Sequence, residues 1–328
     1  MPEEAKDRDW ISRLSVVHYT DWTYGSLRKV WKQINAANNI DVVHFHFISG
    51  WNALYCRMAF RGNAKRIWHL HMHIVPPAGK LAVLKTAFNH IIYSNSYKIG
   101  VSKSVADEIK IYSDSNVCVI NNALDFKRLM QYEEESYIRE KAADRINCMI
   151  MGNDCDRKGV DIAVESVYRL WKQGYDIMLY IAMNDVFVPR LMKFLKSSVK
   201  VKDVDSAQFM KIIPARNDVA SYYRKVDVFL SPSRSDTWTW AIDEAAYCGC
   251  MVIASNVPGQ NENNVPGFEW TGNPNSEDVS KDMADKILFL HALSEKERIK
   301  RTNMAIDYMK KNFSLDVWAD KVLEIYEK

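Results

Sequence analysis

The 328-residue sequence lacks any apolar run approaching the roughly 18–20 residues that a membrane-spanning helix requires. Residues 1–9 are mostly charged and contain no apolar segment of the kind that a secretory signal carries. These two absences predict a cytoplasmic protein and leave open a place of action at the inner face of the membrane. The composition, 48% hydrophobic and 26% charged residues, is typical of a globular chain long enough for two domains.

Metal-binding and nucleic-acid-binding motifs are also absent. Cys248 and Cys250 are the only close pair among six cysteines, and no second pair or suitably spaced histidine completes a zinc site. Five histidines cluster at the ends of two predicted strands: His44, His46, His69, His71 and His73. They alternate with apolar residues, need not converge and have no carboxylate nearby, so we predict no bound metal. No array of basic and aromatic residues indicates a nucleic-acid partner.

Charge is distributed unevenly along the chain. The net charge is +3, yet residues 1–143 carry 19 Lys/Arg against 14 Asp/Glu, whereas the remainder carries 25 against 27. A basic first half suits an anionic membrane surface or an anionic acceptor. An unevenly charged solvated surface explains the same numbers and is the simpler interpretation.

Short apolar runs alternate with amphipathic segments of helical period. Strands are predicted at residues 11–20, 40–47, 66–73, 98–102, 116–120, 146–151, 176–182, 207–212, 226–231 and 252–255. Helices are predicted between them, for example at 24–37, 80–94, 160–173 and 217–225, and at 315–327 near the end. This alternation is typical of parallel sheets covered on both faces, which is the α/β class.

The polar segment 126–145, with three consecutive glutamates at 133–135, is predicted to link two domains. We expect a first domain at residues 1–143 and a second domain at 144–312. The helix at 313–328 is expected to pack back on the first domain. Two doubly wound domains in series would face each other across a cleft, with the ligand at the carboxyl ends of their strands.

The most informative stretch is 232–255, which reads as a loop, a helix and a buried strand after the strand at 226–231. Asp236 lies at the loop entry, and Glu244 follows eight residues later inside the helix. The free N–H groups of a helix N-terminus attract anions such as a diphosphate. This arrangement indicates a nucleotide or sugar-phosphate site.

The same stretch resembles the PS-E-G-F-G-(x4)-E-A-x-x-x-G-x-P-V-V-A-S signature of retaining GT-B glycosyltransferases of the group 1, family-4 type. Three further segments fit that family in order. Residues 151–161 are similar to its donor-phosphate loop, residues 101–125 to the end of its first domain, and residues 41–46 to its DVVHAH motif. The resemblance covers residues 40–328 and implies two Rossmann-like domains.

The resemblance assigns roles to individual residues. It implies that Glu244 binds the ribose hydroxyls, that Asp236 accepts hydrogen bonds from the donor sugar, and that Lys158 neutralises the leaving diphosphate. His71 fits the position of the family's functional histidine best, and His73 is the alternative. The catalytic candidates are therefore His71, Lys158 and Asp236.

The residues expected to bind the donor are Gly152, Asn153, Arg157, Lys158, Trp238, Thr239, Trp240 and Glu244. Structural interpretations compete with some of these roles. Asp236 could cap the helix, Glu244 could be a solvated helix residue, and Arg157 could be an ordinary surface side chain. Either histidine could be a hydrogen-bonded core residue.

The chain departs from the family pattern in several places. Asp236 stands where the family usually has glutamate, Thr237 and Thr239 replace two glycines, and Asn153 replaces an arginine. The replaced glycines would let a phosphate approach the backbone closely. Only about 40 residues precede the first matching motif. This shortness predicts that the first domain is reduced, that the chain is a truncated form, or that a partner supplies the missing surface.

The resemblance implies a retaining, metal-independent hexosyltransferase without a cofactor, whose donor substrate is a nucleotide diphosphate sugar, with a UDP-sugar favoured over a GDP-sugar. The acceptor would be a glycan or a lipid-linked molecule, in the synthesis of surface polysaccharide or glycoconjugate. The alternative is a degenerate GT-B protein that binds nucleotide or glycan, or that acts as a non-catalytic partner subunit. A sugar-nucleotide epimerase of the same fold is a third hypothesis, without specific support.

Overall fold

The computed structural model describes residues 20–37, 39–74, 79–80, 82–113, 115–131, 145–199, 201 and 207–328. The chain divides into two compact units, one formed by Met1–Ile120 with Val322–Lys328 and the other by Asn121–Lys321. The predicted domain boundary at 143/144 and residues 11–19 of the strand predicted at 11–20 lie outside the described residues. Within the described part of the chain, no helix is both long and apolar enough to cross a membrane.

The first unit contains a four-stranded parallel sheet in the order β1-β2-β3-β4. Its strands are β1 (Val42–His46), β2 (Lys65–Leu70), β3 (Tyr97–Gly100) and β4 (Val117–Val119). Its helices are α1 (Tyr24–Ala37), α2 (Gly50–Ala59), α3 (Ala82–Tyr93) and α4 (Lys103–Lys110). The start of α4 is fixed by Ser102, whose hydroxyl accepts a hydrogen bond from the backbone N–H of Val105.

The second unit contains a six-stranded parallel sheet in the order β10-β9-β8-β5-β6-β7. Its strands are β5 (Ile146–Met151), β6 (Ile177–Met183), β7 (Met210–Pro214), β8 (Val228–Ser231), β9 (Met251–Ser255) and β10 (Glu269–Thr271). Its helices are α5 (Phe126–Met130), α6 (Val160–Lys172), α7 (Val188–Ser198), α8 (Ala220–Tyr223), α9 (Trp240–Tyr247), α10 (Val279–His291) and α11 (Glu295–Asn312). The last helix, α12 (Leu315–Glu327), continues from this unit into the closing segment of the first.

The strand order of the second sheet determines where its site lies. β5 pairs with β6 on one side and with β8 on the other, so the direction of winding reverses between β5 and β8. In doubly wound sheets, ligands bind at such a reversal, outside the carboxyl ends of the two strands. The parallel α/β class predicted from the sequence is thus confirmed, because both sheets have helical crossovers and only parallel pairings among the described strands.

Two details of the predicted element boundaries are wrong. Residues 126–130 are not linker but form α5, where the Asp125 side chain accepts from the N–H of Arg128 and Leu129 is 1% exposed. The remainder of the predicted linker, residues 132–144, lies outside the described residues. The strand predicted at 66–73 ends at Leu70, so His71 and His73 belong to the following loop.

Candidate functional site

The loops that follow β5 and β8 pack directly on each other. Gly159 has a φ of 65°, and a Cβ at this position would collide with the carbonyl oxygen of Pro232. The backbone N–H of Arg234 donates to the carbonyl of Arg157 at 2.8 Å. Glycine is therefore required at 159 by both its backbone conformation and the close approach of the second loop.

Lys158 and Asp236 form an ion pair between these two loops. The Nζ of Lys158 lies 2.5 Å from Oδ2 of Asp236, and the two side chains are only 19% and 8% exposed. Gly152 makes room for the lysine, since a Cβ there would lie 2.7 Å from Cγ of Lys158. The predicted phosphate-binding lysine and the predicted sugar-binding carboxylate are thus brought together at the switch point of the sheet.

Asp236 is held by further contacts. Its Oδ1 accepts a hydrogen bond from the backbone N–H of Thr237 at 3.1 Å, and the hydroxyl of Ser233 donates to Oδ2 at 3.4 Å. The residue that caps α9 is Thr239, with no hydrogen bond from its side chain to the helix. Asp236 is therefore not the N-cap of α9, the alternative role that the sequence left open for it.

A third loop, after β9, supports Asp236 from behind. Gly259 has a φ of 84°, and a Cβ there would collide with the carbonyl oxygen of Asp236. Next to it, the fully buried Gln260 donates to the carbonyl of Ser231 at 2.7 Å, and its Oε1 lies 3.4 Å from the hydroxyl of Thr239. Sequence reasoning missed this support, although the Pro-Gly turn after the strand was a visible signal.

Glu244 forms a second ion pair, with Arg128 of α5. Its side chain is 15% exposed, so it is largely buried rather than a solvated helix residue. Burial raises the pKa of the Glu244 carboxyl, and the Arg128 guanidinium opposes that rise. Arg128 also donates to the carbonyl of Asn217 at 3.3 Å. Sequence reasoning missed this arginine because it lies in the segment assigned to the linker.

The other predicted donor-binding residues occupy different surroundings. Arg157 donates to Asp154 at 3.1 Å and to the carbonyl of Ser235 at 3.2 Å, and its side chain is 43% exposed. Asn153 accepts from the backbone N–H of Asn184 at 3.1 Å. Arg157 therefore lies on the loop that carries Lys158 and reaches within 3.7 Å of Asp236, whereas Asn153 braces the neighbouring strand end.

The two tryptophans of the motif also differ. Trp238 is 6% exposed and packs edge-on against Phe313, with ring centroids 5.1 Å apart. Trp240 is 42% exposed, and its indole N–H donates to the carbonyl of Ala123 at 3.2 Å. Trp238 thus fixes the loop from inside the unit, and only Trp240 presents an aromatic surface to a ligand.

His71 lies in the first unit. Its Nε2 is 3.2 Å from Nδ1 of His46, and Phe47 stacks on its ring with centroids 3.9 Å apart. His73 instead pairs with Glu108, with Nδ1 2.7 Å from Oε1. The two candidates are therefore distinguished by their partners: His71 belongs to a group of imidazoles, and His73 to an ion pair.

His44, His46 and His69 surround one point on the face of the first sheet. One ring nitrogen of each lies within 4.8 Å of the others. Burial, reinforced by the neighbouring imidazoles, lowers the pKa of His44 to about 3 and that of His69 to about 2. The sequence argument that alternating histidines need not converge is therefore wrong for these three, because the parallel register places His46 beside His69.

The class of the second unit is indicated by a family comparison. Residues 145–292 match the model of the family described as Glycosyl transferases group 1. This segment contains both loops of the Lys158–Asp236 pair and all of α9. The group 1 prediction is thus supported for that segment.

Individual relatives agree with this class. Over 145 residues the chain is 23% identical to the O-antigen biosynthesis glycosyltransferase WclY of Escherichia coli, a match that spans 44% of this chain and 36% of the relative. A glycosyltransferase from Rickettsia africae ESF-5 superposes with a TM-score of 0.73 at 19% identity, covering 96% of this chain and 83% of that one. Anabaena Alr3699/HepE in complex with UDP and glucose gives 0.70 at 16% identity, covering 94% and 85%. At these identities the solved structures establish a shared fold, in agreement with the GT-B prediction.

Proposed function

We propose that this protein is a retaining glycosyltransferase that binds a nucleotide diphosphate sugar at the crevice between β5 and β8 and transfers the sugar to a glycan or lipid-linked acceptor. The observation that carries the proposal is the buried pair of Lys158 and Asp236, held at the switch point by three loops. The match of residues 145–292 to group 1 glycosyltransferases supports it. The O-antigen role named for the E. coli relative supports a place in surface polysaccharide synthesis.

The paired charges define how the donor would bind. The diphosphate brings two negative charges, and Lys158 exchanges its partner Asp236 for a phosphate oxygen when it arrives. Asp236 then becomes free to accept hydrogen bonds from hydroxyls of the sugar. The lysine neutralises the charge that develops on the leaving diphosphate, which lowers the barrier to cleavage of the glycosidic bond.

Glu244 is assigned to the ribose. A carboxylate accepts two hydrogen bonds, and a nucleotide ribose offers two adjacent hydroxyl donors. Arg128 holds this carboxylate ionised and oriented before the donor arrives. We favour a UDP-sugar as donor, in line with the UDP bound to the Anabaena protein of the same fold.

The reaction proposed needs no metal and no protein nucleophile. The resemblance implies a front-face mechanism in which the leaving phosphate oxygen takes the proton of the acceptor hydroxyl. In such a mechanism the protein orients donor and acceptor and stabilises the separating charges. His71 is proposed to contact the donor sugar.

The acceptor proposal includes association with an anionic membrane surface. No Asp or Glu occurs between Asp41 and Asp107, whereas eight Lys and Arg residues do. Within this basic region α3 exposes apolar side chains, with Val83 80% and Leu84 67% exposed. Basic charge beside exposed apolar residues fits an anionic lipid interface. Sedimentation with phosphatidylglycerol vesicles, but not with phosphatidylcholine vesicles, tests it, and the Val83→Ser/Leu84→Ser variant should bind several-fold more weakly.

A non-catalytic binding protein is the second candidate function. Two threonines replace the family's glycines, and this replacement favours binding without catalysis. The hydroxyl of one of them, Thr239, points toward Gln260 inside the unit. Such a protein would bind nucleotide or glycan, or complete a catalytic partner subunit, without turnover of its own.

Binding and turnover together test the proposal. UDP-, GDP- and ADP-sugars are screened by thermal shift, and the donor that stabilises the chain is then followed for transfer and hydrolysis. Lys158→Met should lower kcat at least about 100-fold, the loss seen when one charged stabiliser of a transition state is removed. Lys172→Met, an exposed lysine at the end of α6, is the matched control. Binding without turnover would favour the non-catalytic function, and no binding of any nucleotide sugar would overturn the transferase proposal.

A further inference from the structure

His44, His46 and His69 of the first unit form a cluster to which the transferase proposal assigns no role. His44 and His46 stand two residues apart on β1 and therefore point to the same face of the sheet. His46 is paired in register with His69 of β2. Their rings are 4.1 Å apart between His44 and His46 and 4.9 Å apart between His46 and His69, measured between centroids. Three imidazoles thus meet on two adjacent strands.

The rings of His44 and His46 are each held by a separate partner. Nδ1 of His44 lies 2.8 Å from the hydroxyl of Tyr326, and Nδ1 of His46 lies 3.2 Å from Nε2 of His71. His69 stacks on His44, with ring centroids 5.4 Å apart. Histidines that bind metals are typically oriented in this way, with one ring nitrogen engaged by a second group and the other directed at the ion.

The nitrogen that remains on His44 lacks a partner. Its Nε2 is buried and has no hydrogen-bond partner among the described residues. A buried polar atom without a partner is destabilising, so such an atom calls for an explanation. A metal ion bound among the three rings would provide its missing partner.

We propose that His44, His46 and His69 bind one divalent transition-metal ion of the zinc type. Imidazole suits zinc and its neighbours in the first transition row, whereas magnesium and calcium prefer oxygen ligands, which this cluster does not offer. Metals bind the neutral form of imidazole through a ring-nitrogen lone pair. Three histidines leave a fourth position of the tetrahedron open to water.

The three ring nitrogens must move slightly closer together to bind one ion. Nitrogens on one tetrahedral zinc ion lie about 3.4 Å apart, given zinc–nitrogen bonds of about 2.1 Å. The three nitrogens here lie within 4.8 Å, a difference that rotation of the rings can remove. The ion would join β1 to β2 and, through Tyr326, would fasten the closing segment of the chain.

Metal binding by the full-length protein tests this inference. The protein is dialysed against a chelator and titrated with Zn²⁺ in competition with a chromogenic indicator, and Co²⁺ is added separately to record the absorption spectrum of a bound ion. We expect one Zn²⁺ per chain, a four-coordinate cobalt spectrum and no competition from Mg²⁺. No donor sugar is present, so the result is independent of the transferase proposal.

Variants locate the ion. His46→Gln should weaken zinc binding at least about 100-fold, and Tyr326→Phe should weaken it about tenfold as the loss of an orienting partner. His291→Gln, which replaces a histidine on α10 in the other unit, should bind as the wild type does. Circular dichroism without metal shows that each variant is folded. Weak wild-type binding that His46→Gln leaves unchanged, or a cobalt spectrum of a site without nitrogen ligands, would overturn the inference.

Discussion

The two units contain similar parallel sheets, but the side chains near the ends of their strands differ in charge. In the first unit, the carboxyl end of β1 and the adjoining face carry neutral imidazoles, in a segment without any acid between Asp41 and Asp107. In the second unit, the loops carry full charges in ion pairs, Lys158 with Asp236 and Arg128 with Glu244. The fold decides where a site lies, and the side chains decide which ligand it suits.

This difference also concerns how each site is kept in order. The second-unit loops are fixed by close backbone contacts at Gly159 and Gly259, where no other residue fits. The histidine group is fixed by side-chain partners, among them Tyr326. In the second unit, an anion can replace a carboxylate as the partner of a basic side chain. In the first unit, the histidine ring nitrogens offer lone pairs to a cation.

The largest expected effect tests whether the charged site depends on its glycines. Gly159→Ala places a Cβ against the carbonyl of Pro232 at a φ of 65°, so we expect the second unit to lose about 3 kcal/mol or more of stability. Urea unfolding followed by circular dichroism measures it. Gly272→Ala is the control, because nothing lies within 4 Å of its added Cβ. Equal stability of the two variants would show that the close backbone contact at Gly159 does not stabilise the second unit.

The next effect concerns Glu244, the carboxylate that we propose to bind the ribose. Glu244→Ala removes two charge-assisted hydrogen bonds and leaves Arg128 without its acidic partner, so we expect nucleotide-sugar affinity to fall about 100-fold, or about 2.7 kcal/mol. Isothermal titration calorimetry with the donor identified by thermal shift measures it. Glu324→Ala, an exposed position on α12, should leave the affinity unchanged. Full affinity in Glu244→Ala would show that the second ion pair serves stability only.

A smaller effect concerns the ionisation of the buried Asp243 carboxyl in the second unit. Burial raises the pKa of the Asp243 carboxyl well above its usual value, and its hydrogen bond from Asn263 at 2.9 Å opposes the shift. A raised folded-state pKa means that the unfolded chain releases the proton first, so the wild type loses stability as pH rises above about 4. Asp243→Asn should raise Tm at pH 7 by about 2–4 °C and flatten that loss.

Measuring Tm from pH 4 to pH 8 for wild type and Asp243→Asn provides the check. The two curves should approach each other as the pH falls to about 4, because the carboxyl is then protonated in the folded chain and about half protonated in the unfolded chain. A constant difference at all pH values would mean that packing, and not ionisation, separates the two proteins.

The smallest effect concerns an exposed ion pair that lies outside the candidate site. Arg145 and Asp176 form an ion pair at 2.8 Å, but their side chains are 38% and 52% exposed. Solvent screens such a pair, so Asp176→Asn should change the free energy of unfolding by about 0.5 kcal/mol or less and leave donor binding intact. A larger change would mean that exposure does not distinguish the pairs of this protein.

Much of the fold was predictable from local patterns. Strands such as β5 and β8 are continuous apolar runs, and the spacing of helices between them requires parallel connections. The pairing of Asp236 with Lys158 was not predicted, because 78 residues separate the two side chains in the chain and the resemblance implied only a ligand role for each. Arg128 was missed for the same reason: its partner Glu244 lies 116 residues away.

The sequence by itself determined the α/β class, the position of the charged motif at 232–255 and the absence of acids around the histidines. Tertiary structure alone decided which charges meet, which tryptophan faces inward and which histidines converge. The physical reason is that periodicity and propensity act over a few residues, whereas the register of neighbouring strands and the approach of separate loops depend on the packing of the whole unit.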